Sequence, residues 1–211
     1  MTSIIRERIR SLRTPNAFGE QFVPFQSLDH ILDEKTVQGA LSACGIKVYE
    51  RDEVQEAILS SGKRVFAILC LMEREHLIVQ FSGNDNFLMV ALDSKLPLDE
   101  DALQRIIPED YRAFYDIQFE FSAPIFRPNL HHRRLHDGCI LPFTKVKPIG
   151  EGGFGVVSRV TLAGAHQGIL QDQTIEVGEA VGPLLVRFSR PRSVQLGSCS
   201  VRIVRFRSCS Y

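Results

Sequence analysis

The stretch that most restricts this chain's fold is Ile149-Gly150-Glu151-Gly152-Gly153-Phe154-Gly155-Val156-Val157. The spacing Gly150-x-Gly152-x-x-Gly155 occurs in two unrelated settings, and the flanking residues decide between them. In a dinucleotide-binding turn the last glycine opens a helix, whose N-terminal amides hold a pyrophosphate. Here Val156-Val157-Ser158-Arg159-Val160-Thr161-Leu162 follows. Its β-branched residues are stiff at χ1 and favour a pleated surface over a helix. Ile140 to Ile149 and Phe154 to Leu162 therefore read as two antiparallel strands joined by the glycine turn. The second alternates Val157, Arg159 and Thr161 against Val156, Ser158, Val160 and Leu162.

Up to about Gly138 the pattern is helical instead. Met1 to Arg13 carries Arg6, Arg8, Arg10 and Arg13, with Ile5, Ile9 and Leu12 on one face. An Arg-rich amphipathic start suits a mitochondrial presequence, but Glu7 interrupts the charge, and a surface helix is expected. Val37, Ala40, Leu41 and Cys44 recur at helical spacing, and Gly45 sits where that helix would stop. A second helix is expected from Asp52, whose carboxylate can cap free amides, to near Gly62. Val65 to Met72 fits a buried helix or a buried strand, and the helices around it favour helix. Asp99 to Ile107 reads as a short helix ended by Pro108. Tyr111 to Phe121 is aromatic-rich and reads as core. His131-His132-Arg133-Arg134-Leu135-His136 is expected to be a solvated linker; no further ligand set accompanies its histidines, so no metal site is expected.

Composition narrows the function classes. The 211 residues are 44% hydrophobic, enough for a core, and formal net charge is zero, which disfavours capture of nucleic acid by the chain as a whole. Val65 to Met72 is too short to cross a bilayer, and no membrane association is expected. The five cysteines form no Cys-x-x-Cys pair, so a reduced intracellular protein, cytoplasmic or nuclear, is expected. After Lys147 there is no lysine, and after Glu179 no acid, while Arg187, Arg190, Arg192, Arg202, Arg205 and Arg207 crowd the end. With Phe188, Phe206 and Tyr211 as its stacking groups, that stretch is a weak candidate for nucleic acid. Its abrupt change of character after about Gln167 is what a reading frame departing from an ancestral one would produce.

Leu141-Pro142-Phe143-Thr144, the glycine loop and Arg159-Val160-Thr161-Leu162 together resemble the start of a eukaryotic-type protein kinase domain, over about residues 141 to 167. With Phe22-Val23-Pro24-Phe25, Ala67-Ile68-Leu69 and Ala123-Pro124-Ile125-Phe126, the chain resembles filamentous-fungal protein-kinase-like proteins that carry a helical N-terminal region. The resemblance implies ATP and magnesium as cofactors and phosphoryl transfer to protein serine or threonine. It implies nucleotide-covering roles for Gly150, Glu151, Gly152, Gly153, Phe154, Gly155 and Val157, with Phe154 shielding the site and Val157 packing on adenine.

The remaining kinase parts are missing. No lysine follows the loop; the nearest shape to a third-strand Val-Ala-Ile-Lys is Leu184-Leu185-Val186-Arg187, where a guanidinium fork does not reproduce a compact ammonium. His132-Arg133-Arg134 and His136-Asp137-Gly138 lie upstream and do not form a catalytic loop, and no Asp-Phe-Gly follows. No catalytic residue and no metal ligand is assigned. The expectation is an α+β chain: a mainly helical N-terminal domain with linker (1–138), an incomplete kinase N-lobe hairpin (139–167) and an atypical, poorly ordered Arg-rich tail (168–211). Its expected function is that of a truncated, inactive protein kinase family member to which ATP does not bind tightly. The alternatives are a non-catalytic module whose helical domain binds a protein partner, and a plain glycine-rich hairpin.

Overall fold

The computed structural model describes residues 2–81, 92–127, 132–152, 155–168, 184–189 and 200–206. The chain is α+β and divides into two units: residues 1–13 with 26–122, and residues 14–25 with 123–211. The sequence boundary expected near 138 thus falls at 122/123, and the segment Thr14–Phe25 belongs with the sheet.

The helical unit contains α1 (Thr2–Leu12), α2 (Glu34–Ala43), α3 (Val48–Ala57), α4 (Lys63–Met72), α5 (Ile78–Phe81), α6 (Glu100–Ile106) and α7 (Tyr111–Phe121). At its centre lies α4, where Val65, Phe66, Ala67, Ile68, Leu69 and Cys70 are all buried in succession. A helix apolar on every side must be surrounded, and α1, α5 and α7 pack against it. Burial pushes the Cys70 thiol well up, which leaves it inert as a nucleophile. The arginines of the N-terminal segment all find partners. Arg6 donates to the Cys70 carbonyl at 2.8 Å in the last turn of α4 and pairs with Glu73. Arg8 donates to the His30 carbonyl, Arg10 pairs with Glu7, and Arg13 pairs with Glu120 at 2.7 Å.

Helix boundaries follow local chemistry. Asp33 caps α2 by accepting from the Thr36 amide, and Gly45 beyond its end takes φ 73°, which a side chain would resist. Asp99 caps α6 in the same way through Ala102. The start of α3 differs from the expectation at Asp52: Lys47 is the extended residue at its head, and Asp52 lies one turn inside. Arg51 explains the earlier start, because its Nε donates to the Ile46 carbonyl at 2.6 Å and ties the first turn back on itself. A π-helical turn, Ile58–Gly62, then leads into α4.

The start of α4 has no cap from its own neighbourhood. Asp93, from a 3-10 turn at Leu92–Lys95, accepts from the Arg64 amide with both oxygens at 3.0 Å and from the Val65 amide at 3.1 Å. Gly62 makes room for this approach: a Cβ there would lie 2.9 Å from Leu92 Cδ1. Burial pushes the Asp93 carboxyl up, and the two amides pull it down. Asp93→Ala strands both amides and is expected to cost about 1–3 kcal/mol. Asp93→Asn keeps an acceptor and removes the buried charge, so it is expected to lose less. Denaturant midpoints of the two variants check this, and equal losses would contradict the capping role.

In the second unit, β1 (Thr14–Pro15) and β2 (Gln21–Phe22) form a small hairpin. The larger sheet holds β3 (His132–Arg134), β4 (Phe143–Gly152), β5 (Gly155–Leu162), β6 (Leu184–Ser189) and β7 (Ser200–Phe206) in the order β3-β7-β6-β5-β4, with every neighbouring pair antiparallel. The hairpin expected over 139–167 is therefore two strands of five among the described residues. Two more come from the stretch 168–211, read from sequence as a poorly ordered tail; the rest of that stretch lies outside the described residues. His132–Arg134, expected in a linker, is instead a strand on the far edge of the sheet. Phe126, Leu135, Leu141, Phe143, Val160 and Leu162 build this unit's core. Among the described residues no helix is long and apolar enough to cross a membrane.

Candidate functional site

The glycine run lies where β4 meets β5, on the sheet edge. Register runs Lys145↔Thr161, Val146↔Val160, Lys147↔Arg159 and Pro148↔Ser158, then shifts so that Gly150 faces Val157. Ile149 is the residue left over, half exposed at 48%. Pro148 is tolerated because it lacks only an amide proton, and an edge strand can spare one. Such an irregularity bends the strand and increases its local twist, which re-aims the residues beyond it. Gly150, Glu151 and Gly152 are those residues. Glu151 pairs with Val156 and Gly152 with Gly155. Gly153, a nucleotide-covering position in the sequence reading, and Phe154, assigned a shielding role there, lie outside the described residues.

The alternation read from the sequence of β5 holds from Val157 to Leu162, while Val156 is half-buried like Val157. Ser158, Val160 and Leu162 are buried, while Arg159 is exposed and Val157 and Thr161 are half-buried. Val157 thus sits on the face of β5 opposite the core residues. Gly150 is exposed, and a Cβ built there meets no atom within 4 Å. Neither the packing nor the backbone of the chain itself requires glycine at that position. The site offers exposed main chain next to a half-buried valine, which suits the close approach of a polar group to backbone amides.

A third strand completes the row. β6 pairs with β5 so that Val157 faces Arg187, and Gly150, Val157 and Arg187 align across β4, β5 and β6. Leu184-Leu185-Val186-Arg187, which sequence spacing put far from the loop, is thereby the strand beside the hairpin. Residues 169–183 intervene, and a linear reading has no signal that they return the chain to β5. The histidines of 131–136 are not brought to this row: His132 lies on β3, at the opposite sheet edge, and His131 lies outside the described residues. Among the described residues no group of three His, Cys, Asp or Glu side chains could hold a metal ion.

Sequence reasoning passed over the buried polar groups that organise this unit. Asn16 donates to the Leu141 carbonyl at 3.0 Å, and its Oδ1 accepts from the Phe18 and Glu20 amides at 2.9 Å each. The Ala17 amide donates to the Phe143 carbonyl at the start of β4. His166, in a 3-10 turn at Gly164–His166 after β5, is buried with both ring nitrogens engaged. An Asn before a short turn is a recognisable signal; a lone histidine after a strand is not.

No protein-family model, curated protein or solved structure matches this chain.

Proposed function

We propose that this polypeptide is a protein-kinase-like chain whose β4–β5 hairpin keeps the form of a nucleotide-covering flap but which transfers no phosphoryl group by itself. The observation that carries this reading is the open space over Gly150, in one row with Val157 on the face away from the core. ATP is the group the resemblance implies. The exposed main chain of Gly150, and the backbone of Glu151, Gly152 and Gly155, fit the approach of its phosphates, and Val157 its base. Bound ATP supplies a γ-phosphoryl group for a serine or threonine hydroxyl. Magnesium finds no matching ligand set among the described residues, and no lysine follows Lys147, so no transfer step is assigned. In this reading the chain works inside the cell, in cytoplasm or nucleus, where Cys44, Cys70 and Cys139 stay free thiols.

Titration of the 15N-labelled full chain with Mg-ATP tests it. Amide shifts confined to Gly150, Gly152, Gly155 and their neighbours are expected, with a dissociation constant of about 1 mM or weaker, worth roughly 4 kcal/mol or less. No phosphate release above background should accompany them. Submillimolar binding or turnover would show an intact nucleotide site and overturn the inactive reading. No hairpin shift at about 10 mM would leave a plain glycine hairpin. The helical unit, which exposes Val48 and Tyr49 side by side at 74% and 73%, would then be the better functional candidate, as a protein-binding module.

A further inference from the structure

His166 joins two distant parts of the sheet unit through one imidazole. The Phe25 amide donates to its Nε2 at 3.1 Å, and its Nδ1 lies 3.2 Å from the Pro124 carbonyl oxygen. The two bonds determine the tautomer. An amide N–H can only donate, so Nε2 must carry a lone pair; a carbonyl can only accept, so Nδ1 must carry the proton. The ring is 2% exposed and meets Phe22 edge-on, with centroids 5.3 Å apart. Its own main chain is fastened on both sides: its amide donates to Ala163, and its carbonyl accepts from Phe126 at 2.8 Å.

Phe25 is the last residue before the chain leaves the sheet unit, and Pro124 is the second after it returns. We propose that His166 is a proton-operated latch, which holds the Phe25 end of the Thr14–Phe25 segment to the Pro124 segment when neutral and releases it when protonated. A proton taken from solvent onto Nε2 uses the lone pair that Phe25 occupies. Two N–H groups then face each other at 3.1 Å, the Phe25 bond breaks, and a cation is left with little exposure to water. Opening relieves both penalties. The Asn16 and Ala17 bonds to Leu141 and Phe143 involve no titrating group, so the other end of the segment stays in place.

The charged groups on the segments packed around the ring do not substitute for this proton. Glu20 on the β1–β2 turn accepts from Asn16 at 3.0 Å. Arg127 beyond Phe126, and Lys145, Lys147 and Arg159 on β4 and β5, are all exposed. The sign follows from linkage. The closed form binds neutral imidazole, and the open form takes a proton near the free value of about 6.5, so closure weakens as pH falls below about 6.5.

Hydrogen exchange of the 15N-labelled full chain tests the latch. Protection of the Phe25 amide, corrected for intrinsic exchange, is expected to fall roughly 30-fold between about pH 7.5 and about pH 5, the factor by which free imidazole favours its protonated form at the lower pH. The Ala17 amide should change far less. His166→Gln, whose carbonyl accepts from Phe25 and whose amide donates to Pro124 without titrating, should hold Phe25 protection within about threefold over the same range. An unchanged Phe25 amide in the wild type, the same fall in His166→Gln, or an equal fall at Ala17 would each overturn the latch. Should His166→Gln fail to fold, the ring 15N shifts of the wild type decide: a proton on Nδ1 at about pH 7.5 is expected, and one on Nε2 would refute the assignment.

Discussion

Phe114→Ala is expected to destabilise the helical unit by about 3–5 kcal/mol, the range for truncating a fully buried aromatic. Phe114 is 0% exposed on α7 and stacks on Phe81 of α5, with ring centroids 5.4 Å apart and planes 27° from parallel. Truncation removes the transfer energy of the ring and leaves a cavity beside α4, which α7 packs against. The surroundings cannot collapse easily into it, because Phe66 and Ile68 of α4 are themselves fully buried. Phe114→Leu fills most of the volume and should lose about half as much. Tyr115, one position on, is half-buried and meets Phe119 edge-to-face, so Tyr115→Ala should cost clearly less than Phe114→Ala. Urea unfolding of the full chain, followed by a probe in the helical unit, measures all three. A loss under about 1 kcal/mol for Phe114→Ala would mean that this core is loosely packed.

Gln118→Ala is expected to cost about 2–5 kcal/mol by a different physical route. Gln118 is fully buried on the same helix, where its Oε1 accepts from the Leu98 amide at 2.8 Å and its Nε2 donates to the Leu98 carbonyl at 2.9 Å. One side chain thus satisfies both main-chain groups of a residue that no helix or strand serves. Removing it strands a buried donor and a buried acceptor, each worth about 1–3 kcal/mol. Gln118→Leu, of similar size, should lose nearly as much, which separates lost hydrogen bonds from lost volume. Gln118→Glu adds a pH dependence of known sign. Burial raises the folded-state value of that carboxyl above the unfolded one of about 4.3, and only its protonated form can donate to the Leu98 carbonyl. The variant should therefore recover toward wild type as pH is lowered and weaken as pH rises through the folded value. Parallel denaturant curves at about pH 5 and about pH 7.5 read this, and an identical deficit at both would count against the clamp.

These two positions show which parts of the fold were legible from the chain. Phe114 belongs to the aromatic-rich run Tyr111 to Phe121, whose clustered rings mark it as core even though its helix is not read from the sequence. Gln118, four residues on, carries no such mark, since its purpose is a loop residue 20 positions away. The same contrast recurs at the start of α4. The apolar run from Val65 announces burial, but its cap, Asp93, comes from 29 residues downstream. Asp52, the cap that local chemistry suggested for α3, is not used as one, because Arg51 already closes the first turn onto Ile46.

At the candidate site the division is similar. The sequence by itself determined the strand–glycine–strand hairpin, the alternation along β5, and the helices α1, α2, α4 and α6, all of which depend on short-range periodicity and on steric rules for glycine and β-branched residues. It set the start of α3 too late, read α7 only as aromatic core, and held no sign of α5. Only the tertiary structure decided that Arg187 joins Gly150 and Val157 in one row, that His132–Arg134 is a strand, and that His166 binds Phe25 across 141 residues. Strand order and buried hydrogen bonds depend on which distant groups remain unsatisfied once the local elements have formed. A backbone amide looks the same in every residue but proline, so nothing in the linear chain marks which partner it will take.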